Sequence, residues 1–255
     1  MTRPLRDATQ QLPAATQLAL FLDFDGTLVE IEERPGDVHL DTLTRMALAR
    51  LIVLLDGAVA LVTGRDIADI DRFLQPVRLP IAGVHGITRR DATGRVHARV
   101  RAPGFEARLQ DRLRGLAERE PGIFLEPKQG SVALHYRARP ELAEICATEM
   151  QRAVQDFPGV QLIRGKMVIE AKADNSDKGA AIADFMMEPP FFGRVPMFAG
   201  DDVTDEDAFR AVNGRGGLSI KVGPGETLAH FRASNTLAFL VWLQEMTLRL
   251  GETDG

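Results

Sequence analysis

Cysteine is nearly absent. Cys146 stands alone among 255 residues, which rules out a disulfide within the chain and any zinc site built on Cys/His spacing. A chain with no disulfide framework fits the cytoplasm better than an oxidising compartment. Cys146 sits in the apolar stretch Leu142-Ala143-Glu144-Ile145-Cys146 and reads as a small buried hydrophobe, not a reactive thiol. Long apolar runs are missing too. The stretch Leu51-Ile52-Val53-Leu54-Leu55 is far too short to span a bilayer, and the first residues lack the apolar segment of a signal peptide. There is no excess of positive charge. The net charge of −5 at pH 7 argues against a nucleic-acid or membrane-surface binder, which would carry a basic stripe. It leaves room for a small anionic substrate, provided a metal or a few Lys and Arg side chains concentrate positive charge locally. Repeats and low-complexity tracts are absent as well.

What remains is an ordinary folding composition, 45% hydrophobic and 26% charged, in a length that suits one large domain or two modest ones. Residues 1–17 are polar, broken by Pro4 and Pro13, and read as a ragged leader, a candidate for disorder. Leu18–Leu22 is a continuous apolar run closed by Asp23, the pattern of a strand buried on both faces. Leu43, Met46, Ala47, Arg50, Leu51 and Leu54 recur at helical spacing over 41–55, with Gly57 as the C-cap. A second apolar strand, Ala58–Val62, ends in Thr63-Gly64-Arg65. A short helix over 66–74 and a strand at 81–83 follow. Strand–helix–strand–helix–strand is the signature of a parallel α/β sheet. The middle of the chain differs. Paired short strands near 87–90 and 95–100, a helix over 105–120, strands around Glu126–Tyr136, a helix over 140–157 and a strand pair within 160–171 compose a small α+β module. The last third resumes the first pattern, with helices over 177–187, 204–212 and 236–249 and strands at 195–199 and 218–222. The expected fold is α/β: a Rossmann-like, doubly wound parallel-sheet core of residues 18–86 and 171–250, interrupted by an inserted α+β domain over 87–170.

The acidic residues fall at strand ends. Asp23 and Asp25 follow one apolar strand, Asp201 and Asp202 another, and ligands of open α/β sheets bind beyond the carboxyl ends of the strands. Asp23 and Asp25, two apart in extended chain, share a face, with Phe24 turned away. Gly26 permits a tight turn and a close backbone approach to an anion, and Thr27 adds a hydroxyl. The pair suits an attacking carboxylate beside a carboxyl that donates and later accepts a proton. So many carboxylates repel one another, and a hard divalent cation relieves that. Magnesium, which takes one or two carboxylates plus water and phosphate oxygen, fits best. Asp23 and Asp201 are the natural ligands, Asp25 is counted with them, and Asp202 and Asp205 are placed to hold metal-bound water.

Asp-Phe-Asp-Gly-Thr at 23–27 resembles the first motif of the haloacid dehalogenase (HAD) superfamily. Thr63 in Val62-Thr63-Gly64-Arg65, Lys178 in Asp177-Lys178-Gly179 and Gly200-Asp201-Asp202-Val203-Thr204-Asp205 are similar to its second, third and fourth motifs, in order. The resemblance implies a HAD-like core in which Asp23 attacks phosphorus to form an aspartyl phosphate. Asp25 protonates the leaving oxygen and then takes a proton from water. Thr63 hydrogen-bonds a phosphoryl oxygen, Lys178 holds a fixed positive charge against it, and magnesium neutralises the rest.

Within that superfamily the chain resembles the trehalose-6-phosphate phosphatases from Leu20 to Trp242. The stretches that carry the likeness are Ala82–Gly86, Glu126-Pro127-Lys128 with Ser131 and His135-Tyr136-Arg137, Gly165–Glu170, Gly200–Glu206 with Ala208-Phe209, and Lys221-Val222-Gly223. That likeness implies that the inserted domain is a cap closing over the core and that Glu126, Lys128 and Glu170 bind sugar hydroxyls. It also implies that His85, Gly86 and Arg90 lie near the hinge or the sugar entrance, with Gly64 and Arg65 as further substrate-binding candidates. The implied activity is magnesium-dependent hydrolysis of trehalose 6-phosphate to trehalose and phosphate. A cytoplasmic location and no nucleic-acid or membrane partner are expected from composition, and the oligomeric state is left open with a monomer favoured. Alternatives are another sugar phosphate, such as sucrose 6-phosphate or a mannosyl phosphoglycerate, and a non-catalytic sugar-phosphate sensor. Loss of Asp23 or Asp25 would have marked the sensor, and both are present. Many relatives carry a proline where Ala173 stands, so the connection after Glu170 is expected to be less rigid here. Arg89, Arg90, Arg95, Arg99 and Arg101 make the hairpin of the insert basic, which reads as a solvated face.

Overall fold

Apolar runs without polar alternation become the inner strands of this chain. The computed structural model describes residues 2–32, 37–98, 104–128, 130–157, 160–165, 167–173 and 177–252. Through them run β1 (Arg3–Pro4), α1 (Leu5–Gln10), β2 (Leu18–Leu22), α2 (Thr42–Leu54), β3 (Val59–Val62), α3 (Ile67–Leu74), β4 (Ile81–Gly83), β5 (Thr88–Arg90) and β6 (Val96–Ala98). Next come α4 (Phe105–Arg119), β7 (Phe124–Lys128), β8 (Ser131–His135), α5 (Ala143–Val154), β9 (Val160–Gly165) and β10 (Val168–Ala173). The last third holds α6 (Lys178–Phe185), β11 (Val195–Gly200), α7 (Glu206–Asn213), β12 (Leu218–Val222), β13 (Phe231–Ala233) and α8 (Thr236–Glu252).

Among the described residues nine strands form one sheet, in the order β1-β13-β12-β11-β2-β3-β4-β5-β6. Neighbours from β1 to β4 along that order are parallel, and β5 and β6 turn antiparallel at the far edge. Every residue of β2, β3 and β12 is buried, which requires cover on both faces because successive side chains point opposite ways. The α/β expectation is borne out. The chain leaves β2 for β3 and β4 on one side and returns, after the insert, to lay β11, β12 and β13 on the other. The winding therefore reverses between β2 and β11, the place where such sheets bind ligands. Behind that point the core is aromatic: the ring of Phe21 lies 5.2 Å from Phe191 and 5.9 Å from Phe185.

The chain divides into two compact units, 1–98 with 176–255, and 99–175. The hairpin of β5 and β6, expected at the start of the insert, is hydrogen-bonded to β4 and belongs to the first unit. Arg89 and Arg90 are buried in it, not solvated. Arg89 forks onto Glu188 at 2.8 and 2.5 Å, and Arg90 onto Asp71 at 2.6 and 2.7 Å, so both charges are matched by partners 99 and 19 residues away. The second unit is an antiparallel sheet in the order β7-β8-β10-β9. Val132, Leu134, Ile169 and Ala171 pack against Phe105, Leu109 and Leu113 of α4 and Cys146 and Met150 of α5. Cys146 is indeed buried, and burial raises its thiol above the usual range. Residues 99–101 of the expected hairpin and the connection over 174–176 lie outside the described residues.

The leader expectation gives way to structure. Ala8 and Ala15 are fully buried and Leu5 and Leu12 pack against the same core. β1 pairs with β13, and the Trp242 indole donates to Thr9 Oγ1 at 2.7 Å. Leu5, Ala8 and Leu12 recur at i, i+3 and i+7, a stripe too short to stand out among polar neighbours. Among the described residues no helix is long and apolar enough to cross a membrane.

Phe21→Ala removes the central ring of the aromatic cluster and is expected to cost about 3–5 kcal/mol, read as a lower urea midpoint. Phe192→Ala, at a ring 67% exposed, is expected to stay within about 0.5 kcal/mol of wild type.

Candidate active site

The carboxyl ends of β2 and β11 meet where the winding reverses. Asp23 donates its backbone N–H to Ala199 O at 2.9 Å, one residue before Gly200 and Asp201. The chain then folds back on itself: Leu28 and Val29 donate to Phe24 O at 2.9 and 3.1 Å, and Gly26 donates to Val29 O at 2.8 Å. Thr236 at the start of α8 anchors this loop through its hydroxyl on Gly26 O at 2.8 Å. Gly26 has φ +71°, and a Cβ there would stand 2.2 Å from Asp201 Oδ2. Both backbone and contact demand glycine.

Lys178 enters from the first turn of α6, whose start is capped by Asp177 accepting from Ala180 N at 2.7 Å. Its Nζ lies 2.9 Å from Asp23 Oδ1 and 2.6 Å from Asp205 Oδ1, with all three residues buried. Asp205 also accepts from Asp202 N at 2.8 Å. The electrostatics follow from burial. Desolvation holds the Asp23 carboxyl well above the usual range, with help from the charge of Asp205 and against the pull of Lys178. Asp201 is lifted to about 6, first by burial and then by Asp205, against Lys221 and Lys178. Burial opposes the charge on Lys178, but the flanking carboxylates outweigh it and raise its pKa.

A cavity of about 360 Å³ opens over these groups. Asp23, Asp25, Thr63, Gly64, His85, Lys178, Asp201 and Asp202 line it, with Ile31 and Thr204. Arg65 does not. It stands behind Asp25 and holds both carboxylate oxygens, at 2.7 and 2.6 Å. Thr63 accepts from Arg65 N at 3.2 Å and its carbonyl accepts from His85 N at 2.9 Å. His85 itself adopts φ +54°, uncommon for a residue with a side chain, and its ring fills the space a Cβ on Gly64 would need. Gly86 lets the start of α6 approach: a Cβ there would meet Asp177 O at 3.0 Å. Arg90 is committed to Asp71 and to Leu79 O.

The sugar-binding candidates sit on the sheet of the second unit, on the face opposite its apolar core. Glu126 and Glu170 are both in register with Ala133 of the strand between them. His135 Nε2 donates to Glu126 Oε2 at 2.9 Å and Ser131 Oγ to Glu170 Oε1 at 2.5 Å. Both supports come from β8. The side chain of Lys128 lies outside the described residues. In the first unit a larger, shallow depression of about 1060 Å³ is lined by Thr2, Arg3 and Arg232 and shares no residue with the carboxylate cavity, and Arg232 is spent on the carbonyls of Gly223 and Gly225.

Sequence reasoning passed over one participant and gave two others different partners from those they have. Lys221, 5% exposed, donates its ammonium to Asp201 O and so fixes the end of β11. A lysine inside the apolar strand Leu218–Val222 was the available signal, since a buried ammonium needs a partner. Arg65 belongs to Asp25. Asp205 is no outlying water holder: it is completely buried on Lys178, whereas Asp202 is exposed. The acceptor atoms of Asp23, Asp201 and Asp205 lie within 4.8 Å of one another, an all-oxygen set that fits a hard divalent cation.

The chain is similar to known proteins over most of its length. The family described as trehalose-phosphatase matches residues 21–237. The trehalose-6-phosphate phosphatase of Escherichia coli (strain K12) is 41% identical over 251 residues, 98% of this chain and 93% of that protein. A probable trehalose-phosphate phosphatase of Sinorhizobium fredii is 43% identical over 210 residues, 81% and 78% of the two chains. A solved Aspergillus fumigatus trehalose-6-phosphate phosphatase superposes with a TM-score of 0.80 at 22% identity, over 98% of this chain and 100% of that one, a likeness of fold.

The raised carboxyls set a pH dependence. A folded-state pKa above the unfolded one means that the metal-free fold keeps protons the unfolded chain gives up. Stability is therefore lost as pH rises, between 3.8 and about 6 for Asp201, and in the same direction above 3.8 for Asp23. A divalent cation bound at these carboxylates would replace those protons. The expected result is a thermal shift on adding millimolar Mg2+ that is at least about twice as large at pH 7.5 as at pH 5. Equal shifts would show that the cation binds elsewhere.

Proposed function

The chain belongs to the trehalose-phosphatase family, and on that premise we propose that it hydrolyses trehalose 6-phosphate to trehalose and phosphate with Asp23 as the nucleophile. The observation that carries this reading is Asp23 itself. It is buried at the end of a central strand, at the reversal of the winding, 2.9 Å from an ammonium and beside the Asp25 carboxyl at the cavity wall. A lone ion pair in that position would need no open cavity and no second carboxyl.

In the first step an Asp23 oxygen attacks phosphorus and the phosphorus–sugar oxygen bond breaks. Asp25 gives its proton to the departing sugar oxygen. In the second, water attacks the phosphorus of the aspartyl phosphate, its proton passes to Asp25, and the bond to Asp23 breaks. Lys178 holds positive charge beside the phosphoryl oxygens throughout, and the Thr63 hydroxyl donates to one of them. Asp23 and Asp201, with Asp205 behind them, would hold Mg2+, which would supply the remaining positive charge for the transferring group. Glu126 and Glu170, oriented by His135 and Ser131, accept from sugar hydroxyls, and Lys128 donates. A cytoplasmic location belongs to the same proposal, supported by the lone cysteine.

Phosphate release is measured from trehalose 6-phosphate, glucose 6-phosphate, sucrose 6-phosphate and para-nitrophenyl phosphate, with Mg2+ and with chelator. Preference for trehalose 6-phosphate is expected, abolished by chelation and lowered about 10³-fold or more in Asp23→Asn. Equal turnover of all four esters would keep the nucleophile and remove the substrate. Binding without turnover would leave a sensor.

A further inference from the structure

Arg65 and Asp25 form a two-pronged fork-to-carboxylate pair, Nε to Oδ2 at 2.7 Å and Nη2 to Oδ1 at 2.6 Å. Two parallel hydrogen bonds fix the plane of the acceptor, where a lone ammonium would fix only a point. The fork is itself held. Its guanidinium carbon lies 5.5 Å from the ring of Phe24 and 5.1 Å from the ring of Phe73, two rings that are 5.6 Å apart. Phe24 is completely buried and Phe73 packs against the core, so neither ring is free to drift. The backbone of Arg65 is pinned as well, donating to Thr63 Oγ1 and accepting from Val84 N at 3.0 Å. The arginine side chain is only 12% exposed and stays off the cavity wall that Asp25 lines. It thus reaches Asp25 from the protein side, leaving the other side of the carboxyl to the cavity.

Proton transfer to a leaving oxygen demands a carboxyl in one orientation, within hydrogen-bond reach at the moment the bond breaks. Asp25 lies in the loop after β2, where the strand no longer dictates its side-chain direction. We propose that Arg65 is the positioning residue of Asp25, meeting neither sugar nor phosphate and fixing the carboxyl toward the leaving oxygen. This rests on the reading of Asp25 as the proton carrier. The role depends on the leaving group. A sugar oxygen departs only with a proton, whereas para-nitrophenolate departs as an anion, so a misplaced Asp25 slows transfer from the sugar ester and spares transfer from the aryl ester.

The test uses the full chain, with Arg65→Ala and Arg65→Lys, in rapid-quench measurements of the first transfer from trehalose 6-phosphate and from para-nitrophenyl phosphate. In Arg65→Ala the sugar-ester rate is expected to fall about 10²-fold, with KM within about threefold and the nitrophenolate burst within about threefold of wild type. Arg65→Lys is expected to fall between the two, and millimolar guanidinium is expected to restore part of the Arg65→Ala loss. A KM raised about tenfold with kcat kept would overturn the proposal in favour of substrate binding. Equal loss on both esters would overturn it in favour of general support of the site. A crystal structure of Arg65→Ala supplies a readout independent of turnover, in which the Asp25 carboxyl is expected to leave its wild-type orientation. An unchanged Asp25 overturns the proposal even if wild type hydrolyses neither ester, a result that by itself would sink only the phosphatase reading.

Discussion

One buried ammonium organises the catalytic end of the sheet. Lys178 is 3% exposed and stands between Asp23 and Asp205, which are themselves out of solvent. None of the three groups is tolerable there alone, and removing one partner of such a set costs about 3–5 kcal/mol because the rest stay buried and unmatched. The surrounding architecture follows from keeping the three together. α6 must begin where its first residue reaches the end of β2, which the absence of a side chain at Gly86 allows. Asp205 must be fixed from behind, which the N–H of Asp202 does. The loop after β2 must turn inside the space left by Asp201, which Gly26 makes possible. Asp23 and Asp205 face one ammonium, and Asp201 adds a third carboxyl to a set that fits a divalent cation.

The legible part of the fold was the part written in contiguous residues. Leu18–Leu22, Val59–Val62 and Leu218–Val222 announce themselves as apolar runs, and the acidic strings that follow two of the expected strands identify the functional end of the sheet. Short strands left no such trace. β1 has two residues and β13 three, too few for any periodicity, and β13 was not anticipated at all. Pairings across long separations were equally silent. Nothing near Arg65 says that it belongs to Asp25, 40 residues earlier, and nothing near Arg89 points to Glu188. A charged residue looks solvated in sequence because its partner is chosen by the tertiary fold. Lys221 is the exception, since its apolar neighbours made its burial, and hence its need of an acceptor, readable.

The two units use the same device on the carboxylates proposed for catalysis and sugar binding. In the first, Arg65 holds Asp25. In the second, His135 holds Glu126 and Ser131 holds Glu170. In each case an acidic side chain proposed to meet the substrate is oriented by a neighbour, so that little rotamer freedom would be lost on binding. The supports in the second unit come from one strand, β8, at alternate positions on one face, so its register sets both at once.

The position of β2 between β3 and β11 has a consequence for how the chain is made. During synthesis β2, β3 and β4 emerge first, and one long edge of β2, with five apolar residues, waits without a partner until β11 is complete. The second unit, contained in 99–175, leaves the ribosome in between with a core of its own. Asp23 gains Lys178 and Asp205 only when the last third has been translated. A truncated product therefore carries an exposed strand edge but no assembled charge cluster, and the chemistry is switched on by the same late strand pairing that removes the site of aggregation.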